Sequence, residues 1–174
     1  YYLLILDDYS NFLWTIPIAQ KSDVSSVLLK FHAFIQTQFE RKIKFIQCDN
    51  GTEFINGLFQ KICEDNGLIL RLSCPHTSSQ NGKTERKIRS VNNIVRTILF
   101  HASVPVSLWH HALDMAIYLP KILPSKPITY QTPLQILYLR QPFYSYLRVF
   151  GCLCFPLIPA TTIHKLQTRS TPCV

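Results

Sequence analysis

No apolar run in this sequence is long enough to cross a membrane. Residues 1–6 (YYLLIL) are continuous but far shorter than the roughly 20 residues a spanning helix needs. No two cysteines have CxxC spacing. Six cysteines in 174 residues are too sparse for a disulfide-stapled mini-domain. Cys74 with His76, and Cys152 with Cys154, are local pairs that lack a second pair at zinc-site spacing. Cys48 and Cys63 fall at positions expected to be buried and read as reduced core thiols. Signal peptide, initiating methionine, internal repeats and low-complexity tracts are all missing, and the sole methionine is Met115. The chain therefore reads as a segment of something longer.

Acid is also scarce. Ten Asp and Glu face 18 Lys and Arg, a formal charge of +8. The last carboxylate is Asp114. Residues 115–174 carry Lys121, Lys126, Arg140, Arg148, Lys165 and Arg169, and eight of the 11 prolines. Such a shift marks a boundary near residue 120, between a domain over 1–120 and a basic, proline-rich extension over 121–174. An excess of positive charge favours a polyanion, most often nucleic acid, although many basic proteins bind nothing acidic. What the chain does have is core material: 47% hydrophobic and 12% aromatic residues.

The hydrophobic pattern predicts β-β-α-β-α-β-α-α. Residues 1–6 and 12–18 read as a hairpin around Asp7-Asp8-Tyr9-Ser10-Asn11. Ser22 is the expected cap of a helix reaching Phe39. Strands follow at 42–48 and 68–72, with a single helix over 53–66 between them. A polar loop over 73–82 leads into a long helix to about His101. A further helix spans about 107–118, bracketed by Pro105 and Pro120. Residues 132–139 suit a short helix, and 147–158 a strand broken by Gly151 and Pro156. A hairpin followed by alternating elements predicts an α/β fold, a mixed sheet flanked by helices.

Two carboxylates stand out by position. Asp49 ends a predicted strand, where α/β folds place ligand-binding groups. Glu85 sits in the first turns of the long helix. Carboxylates from a strand end and a helix can converge on a divalent cation, and Mg²⁺ takes such oxygen ligands together with substrate phosphates. Taken singly, Asp49-Asn50-Gly51 is a turn sequence, and a first-turn Glu is favoured by the helix dipole alone. The same helix carries Arg86, Arg89, Asn93 and Arg96 on one face, with Lys83 and Lys87 in an adjacent row. A solvated face usually mixes charge signs, whereas this one-sided face suits a phosphate backbone.

Asp49 and Glu85 have 35 residues between them. That spacing resembles the D-35-E signature of retroviral integrase cores. The surrounding words resemble the Copia (Ty1-copia) branch of LTR retrotransposons. Leu6-Asp7-Asp8-Tyr9-Ser10 is similar to "VDDYS", and Asp49-Asn50-Gly51-Thr52-Glu53-Phe54 to "DNGGEF". Ser73-Cys74-Pro75 through Gln80-Asn81-Gly82 and Glu85-Arg86-Lys87 resembles "SCPxTPQQNGxxERK". Leu108-Trp109, Thr132-Pro133 and the run from Leu147 to Cys152 also match. Thr52 in place of Gly, and Ser78-Ser79 in place of Pro-Gln, are mild departures.

The resemblance implies an RNase H-like integrase core from a Pol polyprotein, with DNA strand transfer as its reaction. It implies that Asp49 and Glu85 are the second and third metal-binding carboxylates. Asn81, Gly82, Lys83, Arg86 and Lys87 would face the DNA, with Arg89 and Arg96 continuing the basic stripe. Two Mg²⁺ or Mn²⁺ ions would complete the active site. The family's first catalytic Asp lies on a strand ahead of Tyr1, so the core is expected to lack its first strand and to be inactive in isolation. Asp7 and Asp8 match the hairpin turn and not that residue. Expected partners are double-stranded DNA, as element ends and target, and further copies of the complete protein, with no membrane. The expected location is the nucleus or a cytoplasmic particle. The alternatives are a non-catalytic transposon remnant or DNA-binding domain, and another RNase H-like nuclease that cuts without joining.

Overall fold

The computed structural model describes residues 1–74, 81–157 and 169–174. Its backbone falls into two compact units, Tyr1–Ser90 and Val91–Val174.

The first unit opens with strands β1 (Tyr2–Leu6) and β2 (Leu13–Pro17), paired antiparallel with Leu6 opposite Leu13. The turn between them is held by Asp7, whose carboxylate accepts the Ser10 amide at 2.8 Å. Asn11 takes the left-handed conformation (φ 59°), which Asn tolerates better than most residues. A single 3-10 turn, Lys21–Asp23, leads into α1 (Val24–Phe39). Gln20 caps this turn and Asp23 takes the N-cap position of α1, and not the expected Ser22. Asp23 wins because its carboxylate reaches back to the Gln20 amide at 2.9 Å.

Strand β3 (Phe45–Cys48) pairs parallel with β4 (Ile69–Leu72). The expected single helix between them is two: α2 (Thr52–Ile55) and α3 (Gly57–Asp65). Asn56 breaks them with extended backbone, and its side chain accepts the Phe59 amide at 2.7 Å. An Asn side chain competes well for an amide, so it ends one helix and caps the next. Strand directions are mixed, as expected, but the strands pair as two two-stranded sheets among the described residues. Val24 and Leu28 of α1 meet Phe59 and Cys63 of α3 in one apolar core with Leu68. Leu3 and Ile5 of β1, and Ile46 and Leu70 of β3 and β4, pack against it. This core ties both sheets to the two helices by apolar burial.

Helix α4 (Gly82–His101) begins in the first unit and ends in the second. In the second unit, a turn at Val106–Leu108 leads to α5 (Trp109–Ile122). Pro120 does not end α5. It sits in the last turn, where Leu123 still donates to Leu119, so proline forfeits little more than its own missing N–H. Ala112, Leu113, Ala116, Ile117 and Ile122 are buried. Helix α6 (Pro133–Tyr138) starts from a capping box between Thr132 and Gln135. The strand expected over 147–158 does not form. Only isolated antiparallel bridges occur there, Cys154 with Cys173 and Leu157 with Ser170, and Ile158 lies outside the described residues. Gly151 accounts for part of this. Its φ is +77° and a Cβ there would lie 2.5 Å from the Ala102 Cβ, so the chain bends tightly where a strand would run straight.

Candidate active site and nucleic-acid interface

Asp49 follows β3 directly and is exposed. Two hydrogen bonds fix the corner it occupies. Ser73 donates its amide to the Cys48 carbonyl at 3.0 Å, and Asn50 Nδ2 donates to the Ser73 carbonyl at 3.0 Å. The exit of β4 is thereby tied to the exit of β3, as parallel pairing requires. The Asp49 carboxylate accepts the Gly51 amide at 3.1 Å. That bond turns the backbone into α2 and fixes the side-chain torsion.

Glu53 shares this corner, and the sequence reading missed it. The position that a Cβ on Gly51 would occupy lies 2.8 Å from Glu53 Oε2 and 3.1 Å from Asp49 Oδ1. Two carboxylates thus approach one point beside Gly51, and a side chain there would have to displace the end of Glu53. Lys21 Nζ approaches Glu53 Oε1 at 4.0 Å, the outer limit of an ion pair. The Cys48 thiol beneath them is pushed up to about 12, first by burial and then by the charge of Asp49, with Cys63 and Glu53 adding to it. The corner is accordingly a patch of negative potential. No local pattern in the sequence marks Glu53, because its place at the corner depends on which way its side chain turns.

Glu85 lies in the first turn of α4, exposed, and its amide donates to the Asn81 carbonyl at 3.1 Å. Asn81 and Gly82 are half-buried. Arg86 and Arg89 are exposed, as a phosphate-facing row requires. Arg96 is exposed too, and donates to Asn93 Oδ1 at 3.2 Å, so its guanidinium is held toward that face. Lys87 is half-buried, and burial, with the neighbouring charge of Lys83, lowers its pKa. Lys83 does not simply point into solvent. Its ammonium donates to the Asp8 carboxylate at 2.7 Å and to the Asp8 carbonyl at 2.8 Å. The expected residues 75–80 of the loop beside the site lie outside the described residues.

The structure therefore joins Asp49 to Glu53, Glu85 to Asn81, and Lys83 to Asp8. Among the described residues, no three His, Cys, Asp or Glu side chains form a metal-holding group. Also among them, no helix is long and apolar enough to cross a membrane.

The strand-end Asp49, the helix-borne Glu85 and the exposed arginines of α4 belong to an α/β core, and comparison with known proteins gives the family. Residues 1–78 match the integrase core domain, and the chain belongs to the integrase core family of Copia-type retrotransposon Pol polyproteins. It is 35% identical over 173 residues to the retrovirus-related Pol polyprotein from transposon RE2 of Arabidopsis thaliana. It is 35% identical over 174 residues to that from transposon RE1 of the same plant. It is 34% identical over 174 residues to that from transposon TNT 1-94 of Nicotiana tabacum. These matches cover 99%, 100% and 100% of this chain but only 12%, 12% and 13% of the relatives. The fold is similar to the HTLV-2 integrase catalytic core domain in complex with magnesium (trimeric form). The TM-score is 0.56 at 18% identity, over 78% of this chain and 84% of that one. The fold is that of an RNase H-like integrase core.

Proposed function

We propose that this chain is the DNA-binding and metal-binding part of an integrase that joins DNA ends to a target by strand transfer. The observation that carries the reading is the placement of Asp49 at the end of β3 and Glu85 in the first turn of α4, beside exposed Arg86 and Arg89. In such a reaction a DNA 3′-hydroxyl attacks a target phosphodiester, and the protein positions the strands and offsets their charge. Arg86, Arg89 and Arg96 hold the phosphate backbone, with Lys87 and the Asn81-Gly82 backbone nearer the reacting end.

The donor chemistry fits Mg²⁺ or Mn²⁺. Asp49 and Glu85 offer hard oxygen ligands, and the negative corner at Asp49 and Glu53 attracts a cation. When bound, two such ions activate the attacking hydroxyl and stabilise the leaving oxygen. The third carboxylate of the set comes from the protein outside this chain, so this chain alone is inactive. The HTLV-2 core is magnesium-bound and trimeric, which supports divalent metal and self-assembly in the complete protein. The substrates are double-stranded DNA, as element ends and target, met in the nucleus or in a cytoplasmic particle. Residues 121–174 form a basic extension to a core over 1–120.

The test is a product assay on the integrase released from its parent polyprotein, with labelled duplex ends and Mg²⁺ or Mn²⁺. Joined strands are expected. Nicked but unjoined strands would make the protein a nuclease, and no metal-dependent product would make it a remnant.

A further inference from the structure

The cysteines fall into two chemical sets. Cys48 and Cys63 are buried, and burial raises the pKa of each thiol. They are poor nucleophiles. Cys74, Cys152 and Cys154 are exposed and Cys173 is half-buried.

Two members of the second set face each other. Cys154 donates its amide to the Cys173 carbonyl at 2.8 Å, and Cys173 donates back to the Cys154 carbonyl at 2.8 Å. They are thus a directly opposed, hydrogen-bonded antiparallel pair. The second bridge, Leu157 with Ser170, lies on the same register: three residues forward on one segment, three back on the other. The alignment therefore holds at two points. The ladder between them is interrupted at Pro156, which has no N–H to donate. Directly opposed residues project their side chains to the same side. Their Cα atoms stand about 5.5 Å apart in this class, inside the roughly 4.4–6.8 Å range that a disulfide spans. Closure draws the Cβ atoms to about 3.5–4.5 Å, from the wider end of about 4.5–5.5 Å.

We propose that Cys154 and Cys173 are a modification site, a dithiol pair that closes reversibly to an intramolecular disulfide on reaction with a small disulfide such as oxidised glutathione. One thiolate attacks a glutathione sulfur, forming a mixed disulfide and releasing one glutathione thiolate. The second protein thiolate attacks the protein-bound sulfur of that intermediate and releases the second glutathione thiolate. Two protein thiols are oxidised, and one glutathione disulfide is reduced to two thiolates, which take up the two protons that the protein thiols gave up. Closure fastens residues 169–174 to the segment after Gly151. Cys152 is the nearest competitor in sequence. Two residues back on the same segment, it closes a turn by donating its amide to the Val149 carbonyl at 3.1 Å, and the bridge to Cys173 is made by Cys154.

The test uses the 174-residue chain with oxidised glutathione, alkylation of the remaining thiols and mass spectrometry of tryptic peptides. The expected product links residues 149–165 to residues 170–174 and disappears on reduction. It should persist in Cys152→Ser and vanish in Cys154→Ser and in Cys173→Ser. In denaturant the preference of Cys173 for Cys154 over Cys152 should be lost. Separate glutathionylation of Cys154 and Cys173, a dominant Cys152–Cys173 link, or links only between two chains would overturn the proposal.

Discussion

Lys83 Nζ lies 2.7 Å from Asp8 Oδ1 and 2.8 Å from the Asp8 carbonyl oxygen, so the first turn of α4 is held against the β1–β2 turn. Asp7 is occupied inside that turn by Ser10, which leaves Asp8 to meet the helix. The contact spans 75 positions in sequence and reaches the helix two residues before Glu85. Asp8 is almost fully exposed, and pairs in such surroundings add little to global stability. Its effect is on position. Asp8→Lys or Lys83→Asp alone should speed amide hydrogen exchange in the first turn of α4 with little change in overall stability. The double exchange, Asp8→Lys with Lys83→Asp, should restore slow exchange. Equal exchange in all four proteins would show that the contact holds nothing.

The arginine face predicts a salt-dependent affinity for duplex DNA. Each phosphate contact that is lost should lower the slope of log affinity against log salt by about 0.9. Arg86→Ala and Arg89→Ala should each do so, and should weaken binding alike for unrelated sequences, because phosphate contacts do not read bases. Fluorescence anisotropy over a salt series checks this. An unchanged slope in both variants would remove the face from the interface.

The Cys48 thiol gives a stability signal at high pH. Its ordinary value is 9.0, and in the folded chain it is pushed up to about 12. Between these values the unfolded chain releases a proton that the folded chain keeps. Stability from this group is therefore fully present below pH 9 and is lost as pH rises toward 12. Replacing the thiol with the methyl of Cys48→Ala should flatten the decline in unfolding free energy across this window. A decline as steep as in the parent chain would contradict the assignment.

Much of this architecture was legible in the sequence because local signals agreed with packing. The hairpin, α1, β3, β4 and the extent of α4 follow from apolar periodicity and turn residues. Departures came where one side chain overruled the pattern. Asn56 caps a second helix inside an unbroken amphipathic stretch. Leu123 still bonds to Leu119 past Pro120. Gly151 bends a run of strand-forming residues against Ala102. At the site, the positions of Asp49 and Glu85 were readable from spacing, since one ends a strand and the other starts a helix. Glu53 and the Lys83–Asp8 contact were not. Both depend on which way a side chain turns once distant segments are packed, and no local pattern records that.

Asp49→Asn and Glu85→Gln, tested singly in the integrase released from its parent polyprotein, examine the central claim most directly. Each replaces one carboxylate oxygen with an amide nitrogen and keeps the side-chain shape. Strand joining with Mg²⁺ or Mn²⁺ should disappear in both, while duplex binding through the α4 arginines persists. Joining at the parental rate in either variant would contradict the assignment of Asp49 and Glu85 as the metal-binding pair.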